Sequence, residues 1–150
     1  MKTIALAAAL LAATATAGAA AEWLHASAPM GQYEGQLRIS DTNNIGYSCT
    51  FSSSVSFTVP GDQAGPVVVT VDGNPVRYGE LESEPQYGTS SVEFKVENED
   101  PKSAKHGHNY LIHAMAEGSE VALVRDGDAL ETWTLKGSKD ITNCAVFIDR

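Results

Sequence analysis

From Leu37 onward the chain alternates. Leu37 and Ile39 flank Arg38, a turn cluster Asp41-Thr42-Asn43-Asn44 follows, and Ile45, Tyr47, Cys49 and Phe51 then recur at every second position. A period of two sends successive side chains to opposite faces of an extended chain, so each such run predicts a strand with one buried face. Val55, Phe57 and Val59 repeat the signal until Pro60-Gly61-Asp62 ends it. Val67-Val68-Val69-Thr70-Val71 is a continuous β-branched run, and Asp72-Gly73-Asn74-Pro75 predicts a reversal into Val76-Arg77-Tyr78. Val92, Phe94 and Val96 alternate next. The stretch 97–109 is polar, contains Pro101 and reads as a long loop. Residues 110–116 and 120–124 read as paired strands reversing at Glu117-Gly118, and Arg125-Asp126-Gly127-Asp128 as a tight turn into 130–135. Residues 22–36 show no sustained period and read as an irregular lead-in with one edge strand. Only the N-terminal segment and a short turn over 138–144 read as helical.

About eight or nine short strands with turn signals between them predict an all-β, antiparallel domain, either a sandwich or a barrel. A sandwich is favoured, because one early and one late cysteine would pin distant strands together. No linker-like stretch divides the chain, so residues 22–150 are expected to form one domain.

The segment before it has a different character. Met1-Lys2-Thr3 leads into an apolar run from Ile4 to Ala13 and a small-residue stretch ending Ala19-Ala20-Ala21-Glu22. A positive start, a short apolar core and an A-x-A close are the parts of a signal peptide, expected here over 1–21, with Ala17 and Ala19 as other cleavage points. The apolar core falls well short of the ~20 residues that span a bilayer, and no later segment is more apolar, so no membrane insertion is expected. Cleavage removes Lys2 and no acid, which takes the formal charge from −9 to −10. Such a chain repels phosphate backbones, which argues against nucleic-acid binding. Export also decides the cysteines. Cys49 and Cys144 are the only two, and in an oxidising compartment their simplest state is one disulfide. Two free thiols or a metal site are the alternatives. The bridged loop spans most of the mature chain, for which chain entropy gives ~4–5 kcal/mol.

Trp133-Thr134-Leu135-Lys136-Gly137-Ser138, followed by Cys144 and a short tail, resembles the close of the invasion-associated locus B family of exported bacterial proteins. An earlier cysteine, a valine-rich strand ending in Asp-Gly (here Val67 to Gly73) and a leader accompany that close in the family. The resemblance covers about residues 47–144. It implies an immunoglobulin-like β-sandwich in the periplasm of a Gram-negative bacterium, or secreted from it. It supplies no catalytic residues. The chain departs from the family in the 97–109 stretch and in the spacing around Trp23.

Candidate chemistry is sparse. His106, His108, His113 and Met115 form a cluster of copper- or zinc-type ligands, with His113 and Met115 expected on one face of a strand and His25 and Met30 as further contributors. Glu80, Glu82 and Glu84 would line one face of an extended segment. The Asp126-Gly127-Asp128 spacing is what a hairpin turn requires, and the EF-hand spacing is absent. No Gly-x-Ser-x-Gly elbow, phosphate loop or dinucleotide fingerprint is present. The reading is therefore a non-enzymatic exported protein that binds a protein or envelope component through end loops, above all 97–109. Trp23, Lys102 and Lys105 are its candidate contacts. A copper- or zinc-binding protein and a small hydrolase are the alternatives.

Overall fold

The computed structural model describes residues 21–49, 52–96 and 101–146. The expected leader, apart from Ala21, lies outside them. Nine antiparallel strands account for most of the chain: β1 Trp23–Ala28, β2 Gln32–Ser40, β3 Asn43–Cys49, β4 Ser53–Pro60, β5 Gly65–Val71, β6 Asn74–Glu84, β7 Thr89–Lys95, β8 Glu120–Arg125 and β9 Asp128–Thr134. They form one sheet in the order β1-β2-β3-β4-β7-β6-β5-β8-β9. Within it β5, β6 and β7 form a meander, with β4 returning beside β7 and β8 beside β5. Each return is the Greek-key arrangement.

Two features of the sequence position this sheet. The long strand β6 serves two neighbours: Asn74 to Leu81 pair with β5, and Glu82 to Glu84 pair with β7. One strand shared in this way turns the sheet through a corner and divides it into a first half (β1 to β4 and β7) and a second half (β6, β5, β8 and β9). The period-two residues then meet inside the curl. Leu37, Ile45, Val55, Phe57, Val59 and Val92 from the first half join Val67, Val69, Val121, Leu123 and Trp133 from the second in one buried cluster. Trp133 and Phe57 have ring centroids 5.8 Å apart, and the Trp133 indole N–H donates to Asn43 Oδ1 at 2.7 Å, so its polar edge is satisfied inside the core.

The lead-in over 22–36 is more regular than its pattern suggests. It supplies β1 and the start of β2, a full hairpin in which Trp23 pairs with Leu37 and Ala28 with Gln32. Alternation fails to show because its inward positions include His25 and Gly35 rather than bulky apolar residues. The Pro29-Met30-Gly31 tip turns with Met30 and Gly31 both left-handed, at φ 70°.

The larger correction is the stretch expected as a loop followed by a strand. Residues 101–117 are a helix, α1 Pro101–Glu117. Pro101 opens it, in the first turn, where a missing N–H costs nothing. Buried His108, Leu111, Ile112 and Met115 follow the 3.6-residue period rather than alternation. Gly107, the preceding polar run and the expectation of an all-β chain hid that stripe. The helix ends where Gly118 N–H bonds Ala114 O at 2.9 Å. A Cβ on Gly118 would lie 2.3 Å from Val71 Cγ1, so glycine lets the helix end seat directly on β5.

The expected 138–144 turn is present as a 3-10 helix, Ser138–Cys144, and Cys49 and Cys144 are bonded, with Cα atoms 5.2 Å apart across 95 residues of chain. No helix among the described residues is long and apolar enough to cross a membrane.

Candidate functional site

The helical state of 101–117 disperses the histidine–methionine cluster. Positions two apart on a helix are about 200° apart around its axis, so His113 and Met115 do not share a face. Met115 is fully buried in the core, and His113 is exposed. His108 is buried and uses Nε2 to donate to Cys144 O at 2.9 Å. A carbonyl can only accept, so that nitrogen carries the proton and is unavailable to a metal. The side chains of His106, Lys102 and Lys105 lie outside the described residues. Among the described residues no three His, Cys, Asp or Glu side chains converge in a way that would hold a metal ion.

His108 and two other polar residues, Asn109 and Ser138, instead form a clamp. Asn109 holds the backbone of Val146 from both sides, Nδ2 donating to Val146 O at 2.7 Å and Val146 N–H donating to Oδ1 at 2.8 Å. Ser138 Oγ donates to Met115 O at 2.7 Å. The helix is thus tied to the C-terminal segment at three points, and the disulfide ties that segment to the end of β3. Burial pushes the His108 imidazole below its ordinary range, an effect the nearby Arg77 reinforces and the Cys144 carbonyl opposes. Arg77 is itself half-buried on the inner side of β6, its guanidinium 5.4 Å from the centroid of the Phe94 ring.

At the open end of the curl a second polar network joins β1, β3 and the C-terminal segment. Trp23, a candidate contact, is buried; its indole N–H donates to Thr134 O at 3.0 Å and it stacks on His25. The burial follows from its partner Leu37, which places Trp23 on the core face of β1. His25 Nε2 lies 2.8 Å from Gly137 O, and Nδ1 lies 2.6 Å from Tyr47 Oη. The carbonyl fixes the Nε2–H tautomer, so Nδ1 accepts and the Tyr47 hydroxyl donates. Burial, with Asp140 adding to it, pushes the Tyr47 phenol up to about 12. Gly35 is the residue that admits the Tyr47 ring, since a Cβ there would lie 2.3 Å from Cε1. The shallow cavity beside this network, about 250 Å³, is lined by Leu24, His25, Ala26, Glu34, Gly35 and Gln36. Both nitrogens of His25 are committed, so the arrangement closes the end of the barrel-like curl and fixes β1 in place.

The two outer faces of the sheet contrast sharply. In the first half the outward positions of four strands are polar: Glu34, Gln36 and Arg38 on β2, Ser48 on β3, Ser54, Ser56 and Thr58 on β4, Ser91, Glu93 and Lys95 on β7, while edge strand β1 presents Leu24 and Ala26. Glu82 and Glu84 continue that face onto β6, where Ser91 Oγ donates to Glu84 Oε1 at 2.6 Å and Lys95 pairs with Glu93 at 3.1 Å. The outward side of the second half carries mostly apolar side chains, with Thr70 and Thr132 among them. Tyr78, Val68, Val124 and Ala129 make one row across β6, β5, β8 and β9, and Pro75, Thr70, Ala122 and Thr132 make the next. Tyr78 is 75% exposed and Val68 and Val124 are only partly buried. The continuous Val67–Val71 run carries this signal in the sequence, since valines on both faces read as a strand covered on both sides.

Comparison with known proteins returns no match, whether to a family model, a curated protein or a solved structure.

Proposed function

We propose that the chain is an exported protein of the Gram-negative periplasm that acts by binding a protein or envelope component, without catalysis of its own. The leader, the immunoglobulin-like reading of the curled sheet and the resemblance to invasion-associated locus B proteins belong to this proposal. The observation that carries it is the row of outward apolar side chains Tyr78, Val68 and Val124, against the polar outward positions of β2, β3, β4 and β7. An exposed aromatic ring continuous with part-buried valines makes a contiguous apolar row, and contiguous apolar surface, unlike scattered single residues, marks interaction sites. The commitment of His25, His108 and Tyr47 to internal hydrogen bonds, together with a disulfide suited to an oxidising compartment, supports the same reading.

Site-specific photo-cross-linking in the envelope tests it. A photoreactive residue at position 78 should give discrete adducts in intact Gram-negative cells, while the same residue at position 93, on the polar face, should give none. Absence of adducts at both positions would overturn the binding reading, and adducts at position 93 alone would move the surface.

A further inference from the structure

The apolar face is small, and its size identifies the chemistry of what sits on it. Four strands about 4.8 Å apart carrying two rows of outward side chains cover roughly 200–300 Å², whereas a standard interface covers about 800 Å² on each partner. Any protein seated here must therefore also cover the groups around the face. Carboxylates stand at both ends of it. Glu80 lies two residues beyond Tyr78 on the same side of β6, and Asp126 and Asp128 sit in the exposed β8–β9 turn at that end. Asp72 and Glu120 stand at the other end, Asp72 bonding the backbone N–H groups of Ser119 and Glu120. Arg125, a cation beside the β8–β9 turn, is engaged elsewhere, donating to Ala64 O at 3.0 Å and to Gln63 Oε1 at 3.1 Å.

We infer that this face takes a cationic amphipathic polypeptide: a protein partner whose apolar strip, seated over Tyr78, Val68 and Val124, is edged by lysine or arginine. This rests on the binding reading above and names its partner class. Covering carboxylates without counter-charges leaves them desolvated and unpaired, which is strongly unfavourable; covering them with Lys or Arg supplies attraction and orientation. A second copy of the chain brings the same carboxylates to the same border and is disfavoured by like charge. An anionic lipid surface is disfavoured for the same reason.

The test uses the full mature chain with a short peptide alternating leucine and lysine, its leucine–glutamate counterpart, and phosphatidylcholine vesicles. The lysine peptide should bind saturably at low salt, with NMR shift changes at Val68, Tyr78 and Val124. Tyr78→Ala should weaken it about tenfold or more, as loss of a central aromatic contact does. The paired reversal Glu80→Lys with Asp128→Lys should weaken the lysine peptide and admit the glutamate one, which keeps the test open should Tyr78→Ala fail to fold. Equal binding of both peptides, no saturable binding of the lysine peptide, sedimentation with the vesicles, or a dimer that Tyr78→Ala dissolves would each overturn the inference. So would shift changes confined to the Glu82, Glu84 and Glu93 face. Envelope adducts at position 78 combined with no lysine-peptide binding would remove the partner class and leave the binding reading in place.

Discussion

Replacing Asn109 by alanine probes the clamp that holds α1 against the C-terminal segment. The amide makes two hydrogen bonds to Val146, at 2.7 and 2.8 Å, in a part-buried setting. Two neutral hydrogen bonds contribute about 1–3 kcal/mol net. Water can reach the freed Val146 groups, which favours the lower end, and alanine's better helix propensity returns about 0.5 kcal/mol. The expected cost is about 0.5–1.5 kcal/mol, or a Tm drop of about 2–7 °C for a domain of this size. Asn109→Asp should cost at least as much, since it keeps the acceptor for Val146 N–H but sets a carboxylate against Val146 O. His113→Ala, on the exposed side of the same helix, should fall within about 0.5 kcal/mol of wild type. The stronger assay is a double-mutant cycle with Cys49→Ser plus Cys144→Ser. Without the disulfide the C-terminal segment is no longer anchored to β3, so Asn109 should lose part of its value and the two perturbations should be sub-additive by about 0.5 kcal/mol or more. Urea midpoints measured at constant m-value give the numbers. A null effect of Asn109→Ala, or strict additivity with loss of the disulfide, would refute the clamp.

Three further outcomes follow from the same geometry. His108 is held neutral by burial, so its folded-state pKa lies below the unfolded value near 6.5; protonation then favours the unfolded chain, and stability should fall as pH drops below about 6.5. His108→Gln should flatten the difference in Tm between pH 7 and pH 5, and an unchanged slope would contradict the assignment. Tyr47 has its folded-state phenol raised to about 12, so its contribution should be lost as pH rises from about 10 towards 12. Ultraviolet titration should show one late-ionising tyrosine that Tyr47→Phe removes. Gly35→Ala would place a Cβ 2.3 Å from the Tyr47 ring, and overpacking of this kind costs about 1–3 kcal/mol. Gly46→Ala, whose nearest neighbour would be the Ser56 hydroxyl at 3.2 Å, should cost much less by the same thermal melt.

The parts of the fold that alternation could reveal were legible: the Ile45–Cys49, Val55–Val59, Val67–Val71 and Val92–Phe94 runs became β3, β4, β5 and β7, and the two cysteines are bonded. The β1–β2 hairpin stayed hidden because His25, Gly35 and Tyr33 occupy its inward side, polar or small residues whose fit depends on Tyr47, Trp23 and Gly137 elsewhere in the chain. Helix α1 stayed hidden for a different reason. Its stripe of His108, Leu111, Ile112 and Met115 is short and sits behind a polar, proline-containing start, so local sequence offered a loop and a strand with nearly equal force. That error also created the metal cluster, because His113 and Met115 share a face only on a strand. The apolar outer face was legible in part. Five β-branched residues in a row and the reversal at Asp72–Pro75 pointed to the β5–β6 pair that carries Tyr78, but Val124 joined the row only because β8 lies beside β5, which only the folded sheet reveals.

One covalent bond underlies both the fold and the proposed location: Cys49 and Cys144 are joined, holding the C-terminal segment, and with it α1, onto the sheet. Intact-mass analysis of protein recovered from the periplasm under non-reducing conditions measures this directly. The expected species lacks the leader, is lighter than its sequence mass by the two thiol hydrogens, and regains them on reduction. Recovery of the chain with its leader in place and both thiols free would contradict the account.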